Sequence, residues 1–307
     1  MAAVAHSHSV GTGFWRLADP KITLASMSSI LLGAAAAVHS GTQAWGWLAI
    51  VVLGIFGLEW AKNASGEIYD FASGADQAVA ESDRSPFSGG KRVLVDGLLT
   101  VRETRNIAIA GYALCIGAGL IIVLMREPLV LWLGLAGVAL AFFYHAPPFK
   151  LSYRGWGEGA VLVAYGPLIC VGTYLVMTRT LPTWVVWLGL PLGVLIASFL
   201  WINEFPDYRA DASAGKRTMV VQLGRVAAAR VFAGLLSAAF ALLLVSLAFG
   251  VPPGVLGGLI AVVPAIGAAN TLLASPEDTR RIVPAQVKTL VAFVTYALGA
   301  SIGLIVT

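Results

Sequence analysis

Nine stretches of roughly twenty predominantly apolar residues recur along this chain, at 22–40, 44–61, 104–125, 128–147, 159–178, 182–202, 227–250, 253–274 and 287–306. A helix of about twenty residues crosses the hydrocarbon core of a bilayer. In lipid the backbone has to satisfy its own hydrogen bonds, so runs of this length read as spanning helices. Composition agrees, with 58% apolar and only 12% charged residues, far from the soluble globular range. The sequence therefore predicts an all-α polytopic membrane protein: nine transmembrane helices in a single bundle, with residues 1–307 forming one integral-membrane domain and the lipid bilayer as its surroundings.

Basic residues give the orientation. With nine spans, the flanks on one side hold 18 of the 20 Lys and Arg, and the other side holds only Arg126 and Arg179. By the positive-inside rule the first set and the N-terminus face the cytoplasm, which places the chain in the cell's inner (cytoplasmic) membrane. Topology and attraction to anionic lipid account for this charge, and no nucleic-acid partner is expected. The stretch Met1–Pro20, with His6 and His8, lacks the apolar core and cleavage site of a signal peptide. Cys115 and Cys170 fall within spans, where a thiol behaves as a small hydrophobe, and His39 and His145 at span ends read as packing residues. The spacings Gly189-x-x-x-Gly193 and Gly254-x-x-x-Gly258 predict close helix approach.

Two acidic clusters interrupt this apolar background, one after the second span (Glu67, Asp70, Asp76) and one after the sixth (Glu204, Asp207, Asp211). Carboxylates beside a bilayer are costly unless they pair, bind a cation or face water. An even number of crossings separates the clusters, so both emerge on the cytoplasmic side and face one cavity. The long connection 62–103 reads as a cap over it. Asn203, Asp207 and Asp211 recur every four residues and share one helical face. Like charges at that spacing repel, and oxygen ligands so placed suit Mg²⁺, which is held by one or two carboxylates plus phosphate oxygens. Pro206 is expected to loosen this helix. Asn63, Gly66, Glu67 and Asp70 share a second face, Gly74 should end that helix, and Asp76 should sit in the loop, forming a second cation site.

The motifs Asn203-x-x-x-Asp207-x-x-x-Asp211 and Tyr69-Asp70-Phe71-x-x-Gly74-x-Asp76 resemble the two aspartate-rich signatures of the UbiA superfamily of intramembrane prenyltransferases. The segment 144–158, together with Gly166-Pro167 and Gly172-Thr173-Tyr174, is similar to the branch that prenylates 1,4-dihydroxy-2-naphthoate. This resemblance implies Mg²⁺-dependent transfer of a prenyl group from an isoprenoid diphosphate to a small aromatic acceptor in menaquinone biosynthesis, through ionisation to an allylic cation. A membrane terpene cyclase, acting without an aromatic acceptor, is the alternative within the superfamily. Carried onto this sequence, Mg²⁺ falls to Asp70, Asp76, Asn203, Asp207, Asp211 and Glu67. Lys150 and Arg154 become catalytic phosphate contacts, with Lys91 and Arg92 assisting from the long loop. Asn63, Asn203, Glu67, Tyr69, Tyr144 and Tyr153 become substrate-binding, with Tyr208 also near the site. The family's first motif usually begins Asn-Asp; here the pair is Gly66-Glu67, with Asn63 three residues earlier.

Overall fold

The computed structural model describes residues 8–307, so His6 lies outside the described residues. A short helix α1 (Val10–Ala18) precedes α2 (Pro20–His39), α3 (Trp45–Ser73), α4 (Val101–Met125), α5 (Val130–Phe143), α6 (Gly157–Thr178), α7 (Trp184–Ser213), α8 (Arg225–Ala248), α9 (Pro253–Ala274) and α10 (Thr279–Val306). Eight of these, α2 to α4 and α6 to α10, are long and apolar enough to cross a membrane. Local signals set their ends. Pro20 opens α2, where its missing N–H costs nothing. Thr100 and Glu103 close a capping box at the start of α4, and Gly74 at φ 80° ends α3 in a left-handed cap.

The structure departs from the sequence expectations in four places. The window 128–147 yields a helix of only 14 residues, Val130–Phe143, because the backbone before Pro147 and Pro148 cannot stay helical. That helix nevertheless runs from one end of the bundle to the other. At its start, Arg126 donates to the carbonyls of Val176 (2.9 Å) and Met177 (2.6 Å) at the C-terminal end of α6; at its finish, His145 stands 3.9 Å from Asp70 near the end of α3. Second, the first connection shortens from 62–103 to residues 74–100, because the helix carrying Asn63, Glu67 and Asp70 is continuous with the second span and ends only at Ser73. Third, Pro206 removes a donor but does not break α7, which continues to Ser213. Fourth, Asp76 sits in a short helical turn, Ala75–Ala78, and not in irregular loop.

Helix contacts depend on glycine, since lipid tails provide no hydrophobic drive for association and close backbone approach replaces it. α6 meets α7 where Gly166 faces Gly189 and Gly193, and α9 meets α10 where Gly254 and Gly257 face Gly303 and Gly299. α3 and α4 run antiparallel through Gly57 and Gly111. A Cβ on Gly166 would lie 2.7 Å from the Gly193 Cα and 2.9 Å from the Gly189 oxygen, whereas one on Gly117 would meet nothing within 4 Å. Gly166→Val should therefore lower stability by about 1–3 kcal/mol through overpacking, while Gly117→Ala should leave it unchanged. Thermal unfolding of the detergent-solubilised chain measures both, and equal melting temperatures would contradict the packing assignment.

Candidate active site

Both acidic motifs reach the same end of the bundle because α3 and α7 each finish there. Their last turns form facing walls of a cavity of about 540 Å³. α3 contributes Asn63, Glu67 and Asp70, the turn after it Asp76, and α7 contributes Asn203, Glu204, Asp207 and Asp211. The connection 74–100 adds Val79 and residues 84–92, including Lys91 and Arg92. Backbone and side-chain bonds hold that segment down. Arg92 Nη1 donates to the Asp76 carbonyl (2.7 Å), Lys91 pairs with Asp19 (2.5 Å), and the Leu94 N–H donates to Glu67 Oε1 (2.9 Å).

Negative charge at this site is only partly answered. Asp70 Oδ1 accepts from the Tyr153 hydroxyl at 2.7 Å, and Asp211 Oδ1 lies 3.5 Å from Lys216 Nζ. Asp76 Oδ2, Asp207 Oδ1 and Glu204 Oε2 are buried with no partner. Burial and the neighbouring charges of Asp70 and Glu67 push the Asp76 pKa up to about 8. Burial alone would drive the Lys216 pKa down, but Asp211, Asp70 and Asp207 together outweigh it and hold the value well above the ordinary one. His145, pushed down to about 4 mainly by burial, supplies no positive charge at neutral pH.

Among the described residues, no three His, Cys, Asp or Glu side chains already converge into a metal-binding group. The donors ring an open cavity instead, and this arrangement still fits a hard divalent cation. Three orphaned carboxylate oxygens, that of Asp76 on one wall and those of Asp207 and Glu204 on the other, need positive charge, and Mg²⁺ takes few protein ligands and fills its octahedron with water and phosphate oxygens. Gly90, at φ 72°, leaves room for the Asp76 carboxylate, which a Cβ at that position would strike.

Other residues singled out from the sequence lie elsewhere. Tyr69, Lys150, Tyr153, Arg154 and Tyr208 do not line the cavity. Tyr153 acts from behind Asp70, Lys150 lies 5.4 Å from the Tyr153 ring, and Tyr208 packs under the Arg225 guanidinium at 5.0 Å. Asn63 spends its amide on the Leu17 carbonyl (2.9 Å) and Asn203 accepts from Gln286 (3.0 Å), both while lining the cavity. Tyr144 lines it as well. Sequence reasoning missed Lys216, Lys62 and His145, all on the cavity wall. Lys216 follows Asp211 by five residues, a spacing that carries no helical signal once α7 ends at Ser213.

The pattern that defines the UbiA prenyltransferase family matches residues 26–292. A 1,4-dihydroxy-2-naphthoate octaprenyltransferase of Mycobacterium tuberculosis is 29% identical over 92% of this chain and 94% of its own, and one from Bacillus subtilis is 22% identical over 76% and 72%. Among solved structures, the apo UbiA homologue from Aeropyrum pernix K1 superposes with a TM-score of 0.67 at 18% identity, covering 89% of this chain and 96% of that one. The UbiA homologue from Archaeoglobus fulgidus bound to GPP and Mg²⁺ gives 0.66 at 18% identity, covering 96% and 100%.

The raised Asp76 pKa makes the folded chain bind a proton that the unfolded chain releases. Stability should therefore fall as pH rises from about 4 towards 8, the interval between the unfolded and folded values. In EDTA the wild-type melting temperature should drop between pH 6 and 8.5, Asp76→Asn should lessen that slope, and millimolar Mg²⁺ should remove it from the wild type. A slope that is the same in the variant would show that another group carries it.

Proposed function

Because the chain belongs to the UbiA prenyltransferase family, a match covering residues 26–292, we propose that it transfers a prenyl group from an isoprenoid diphosphate to an aromatic acceptor of the 1,4-dihydroxy-2-naphthoate type, as one catalytic unit. The observation that carries this reading is the pair of facing aspartate clusters with an unpartnered oxygen on each wall, in a cavity that also holds lysine and arginine. That mixture suits a polyanion bridged by cations and does not suit a neutral ligand.

In this reading Asp70 and Asp76 would hold one Mg²⁺ and Asp207 and Asp211 another, with Glu67 and Asn203 beside them. The cation supplies charge neutralisation of the diphosphate as it leaves. Lys216, Lys91 and Arg92 attract the same anion. Arg92, held by the Asp76 carbonyl and Asp96, adds positive charge to the cavity wall, and Lys216 stays charged because three aspartates surround it. We give these three the phosphate role that the sequence resemblance gave to Lys150 and Arg154, which stand off the cavity wall. Tyr153 orients Asp70 through its hydroxyl. The Tyr144 ring, on the cavity wall, is placed to stabilise a developing allylic cation.

The tail of the donor is hydrocarbon and stays in lipid, which explains why this chemistry sits at one end of a membrane bundle. Basic residues crowd that end, while Arg126 is tied to carbonyls at the other. This distribution supports a cytoplasmic active site, a cytoplasmic N-terminus and residence in the inner membrane.

Purified protein given Mg²⁺, geranylgeranyl diphosphate and 1,4-dihydroxy-2-naphthoate should form the prenylated naphthoate-derived product. EDTA should abolish turnover, and Asp207→Asn should lower kcat by about 100-fold or more while the chain stays folded, since one charge-stabilising group at a transition state is worth that much. A cyclic hydrocarbon released without any aromatic present would instead identify a terpene cyclase.

A further inference from the structure

Glu59 lies near the end of the apolar window of α3 and Lys62 one turn further on, and the proposed ionisation of a diphosphate assigns a role to neither. Glu59 is 5% exposed. Its Oε1 accepts from the Ser26 hydroxyl, and its Oε2 has no partner. The residue lines a second cavity of about 80 Å³ whose other walls are mostly apolar, among them Leu58, Leu140, Ala141 and Leu168. Lys62 and Tyr144 line both this chamber and the larger cavity, so the two chambers meet at them.

Lys62 Nζ donates to the Tyr165 hydroxyl (3.3 Å) and lies 5.7 Å and 5.6 Å from the ring centroids of Tyr144 and Tyr165. Among the described residues that is one of its three donors in use. Tyr165 belongs to a π-helical turn, Ala164–Leu168, where α6 widens at Pro167, and its carbonyl accepts from Ser29. Such widened turns are rare and recur at functional sites.

A buried carboxylate oxygen without a donor is costly, and what relieves it must bring an O–H or N–H into an apolar chamber. A prenyl tail brings none and would press hydrocarbon against the Lys62 ammonium. A diphosphate would set anion against anion. A flat aromatic carrying an acidic hydroxyl satisfies the carboxylate, the ammonium and the apolar walls, with its hydroxyl-bearing edge entering the small chamber and its ring at the junction beside Lys62 and Tyr144, where the larger cavity gives it room. We propose that Glu59 and Lys62 form the acceptor subsite, reached from the larger cavity, in which the acceptor hydroxyl donates to Glu59 Oε2 and Lys62 holds the charge that develops on that oxygen. This rests on the aromatic prenyltransferase reading.

The chemistry balances. The ring carbon next to the hydroxyl-bearing carbon bonds to C1 of the prenyl group, the C1–O bond breaks with its electron pair on the diphosphate, and the hydroxyl proton passes to Glu59, leaving a ring ketone. Loss of H⁺ or CO₂ from the newly bonded carbon returns its electron pair to the ring, and the oxygen takes its proton back from Glu59.

The test uses the full chain in detergent with 1,4-dihydroxy-2-naphthoate as probe, measured by tryptophan quenching and by steady-state kinetics. Glu59→Gln keeps the side-chain shape, and Lys62→Met keeps most of the stem. Each should raise the naphthoate Kd and KM about tenfold or more, Glu59→Gln should leave the KM for geranylgeranyl diphosphate unchanged, and Glu59→Asp should restore part of the loss. Glu59→Gln should also flatten the acid limb of the pH profile for turnover, which a purely structural role would not move. Ala141→Leu, which fills the chamber without touching either charge, should raise the naphthoate KM alone. An unchanged naphthoate Kd in all the variants overturns the subsite and leaves the transferase reading intact. A rise confined to the geranylgeranyl diphosphate KM overturns it in favour of a tail chamber. Wild-type protein that binds no naphthoate overturns both together.

Discussion

Four aspartates placed at the ends of two apolar helices repel one another, and the rest of this end of the molecule is arranged around that repulsion. Lipid cannot solvate them, so α3 and α7 must deliver them to the same end and face them into a shared cavity. Lys216, Tyr153 and Arg92 answer part of the charge or fix the backbone beside it. They do not answer all of it, because Asp76 and Asp207 keep buried oxygens without partners. A site left short of positive charge costs stability when empty and gains affinity when a cation arrives, and such local violations are what functional sites look like in an otherwise self-consistent fold.

The two ends of the bundle contrast accordingly. At the far end the connections close through neutral or backbone partners: the Ser40 hydroxyl with the Tyr174 hydroxyl (3.0 Å), the His39 ring with the Leu304 carbonyl (3.0 Å), and Arg126 with two carbonyls. At the site end they close through charge. The far end needs only to terminate helices, whereas the site end has to hold like charges near each other. Tight glycine contacts between α6 and α7, and between α9 and α10, provide rigid support away from the charge.

Much of this was legible from the sequence, because apolar run length and four-residue spacing are local properties. Eight of the nine windows correspond to helices long and apolar enough to cross a membrane, while the window 128–147 gives α5, which falls short of that length. Asp70, Asp76, Asp207 and Asp211, expected to face one cavity, all line it. What escaped was set by tertiary placement. Lys216 lies in a loop where spacing says nothing about direction. Lys62 read as an ordinary basic flank until α3 proved to continue eleven residues past it, to Ser73, which puts its ammonium over two tyrosine rings. Lys150 and Arg154 lie in the right loop, but the turn at Leu151–Tyr153 directs Tyr153, and not its basic neighbours, to Asp70.

The pair Gly66-Glu67, the one departure from the family's usual Asn-Asp, finds its reason in the same geometry. A Cβ at position 66 would stand 2.6 Å from His145 Cε1, so glycine is what allows the His145 ring to lie against α3 and reach within 3.9 Å of Asp70. Glu67, one residue on, is 3% exposed and accepts the Leu94 N–H. Its longer side chain therefore fastens the segment 74–100, whose Gly90 and Arg92 lie against Asp76. Glu67 thus both adds negative charge to the cavity and holds the loop that frames it. Replacing a short acid with a longer one at this position exchanges side-chain freedom for an anchor, which leaves Asp76 as the first motif's carboxylate with a buried oxygen free of partners.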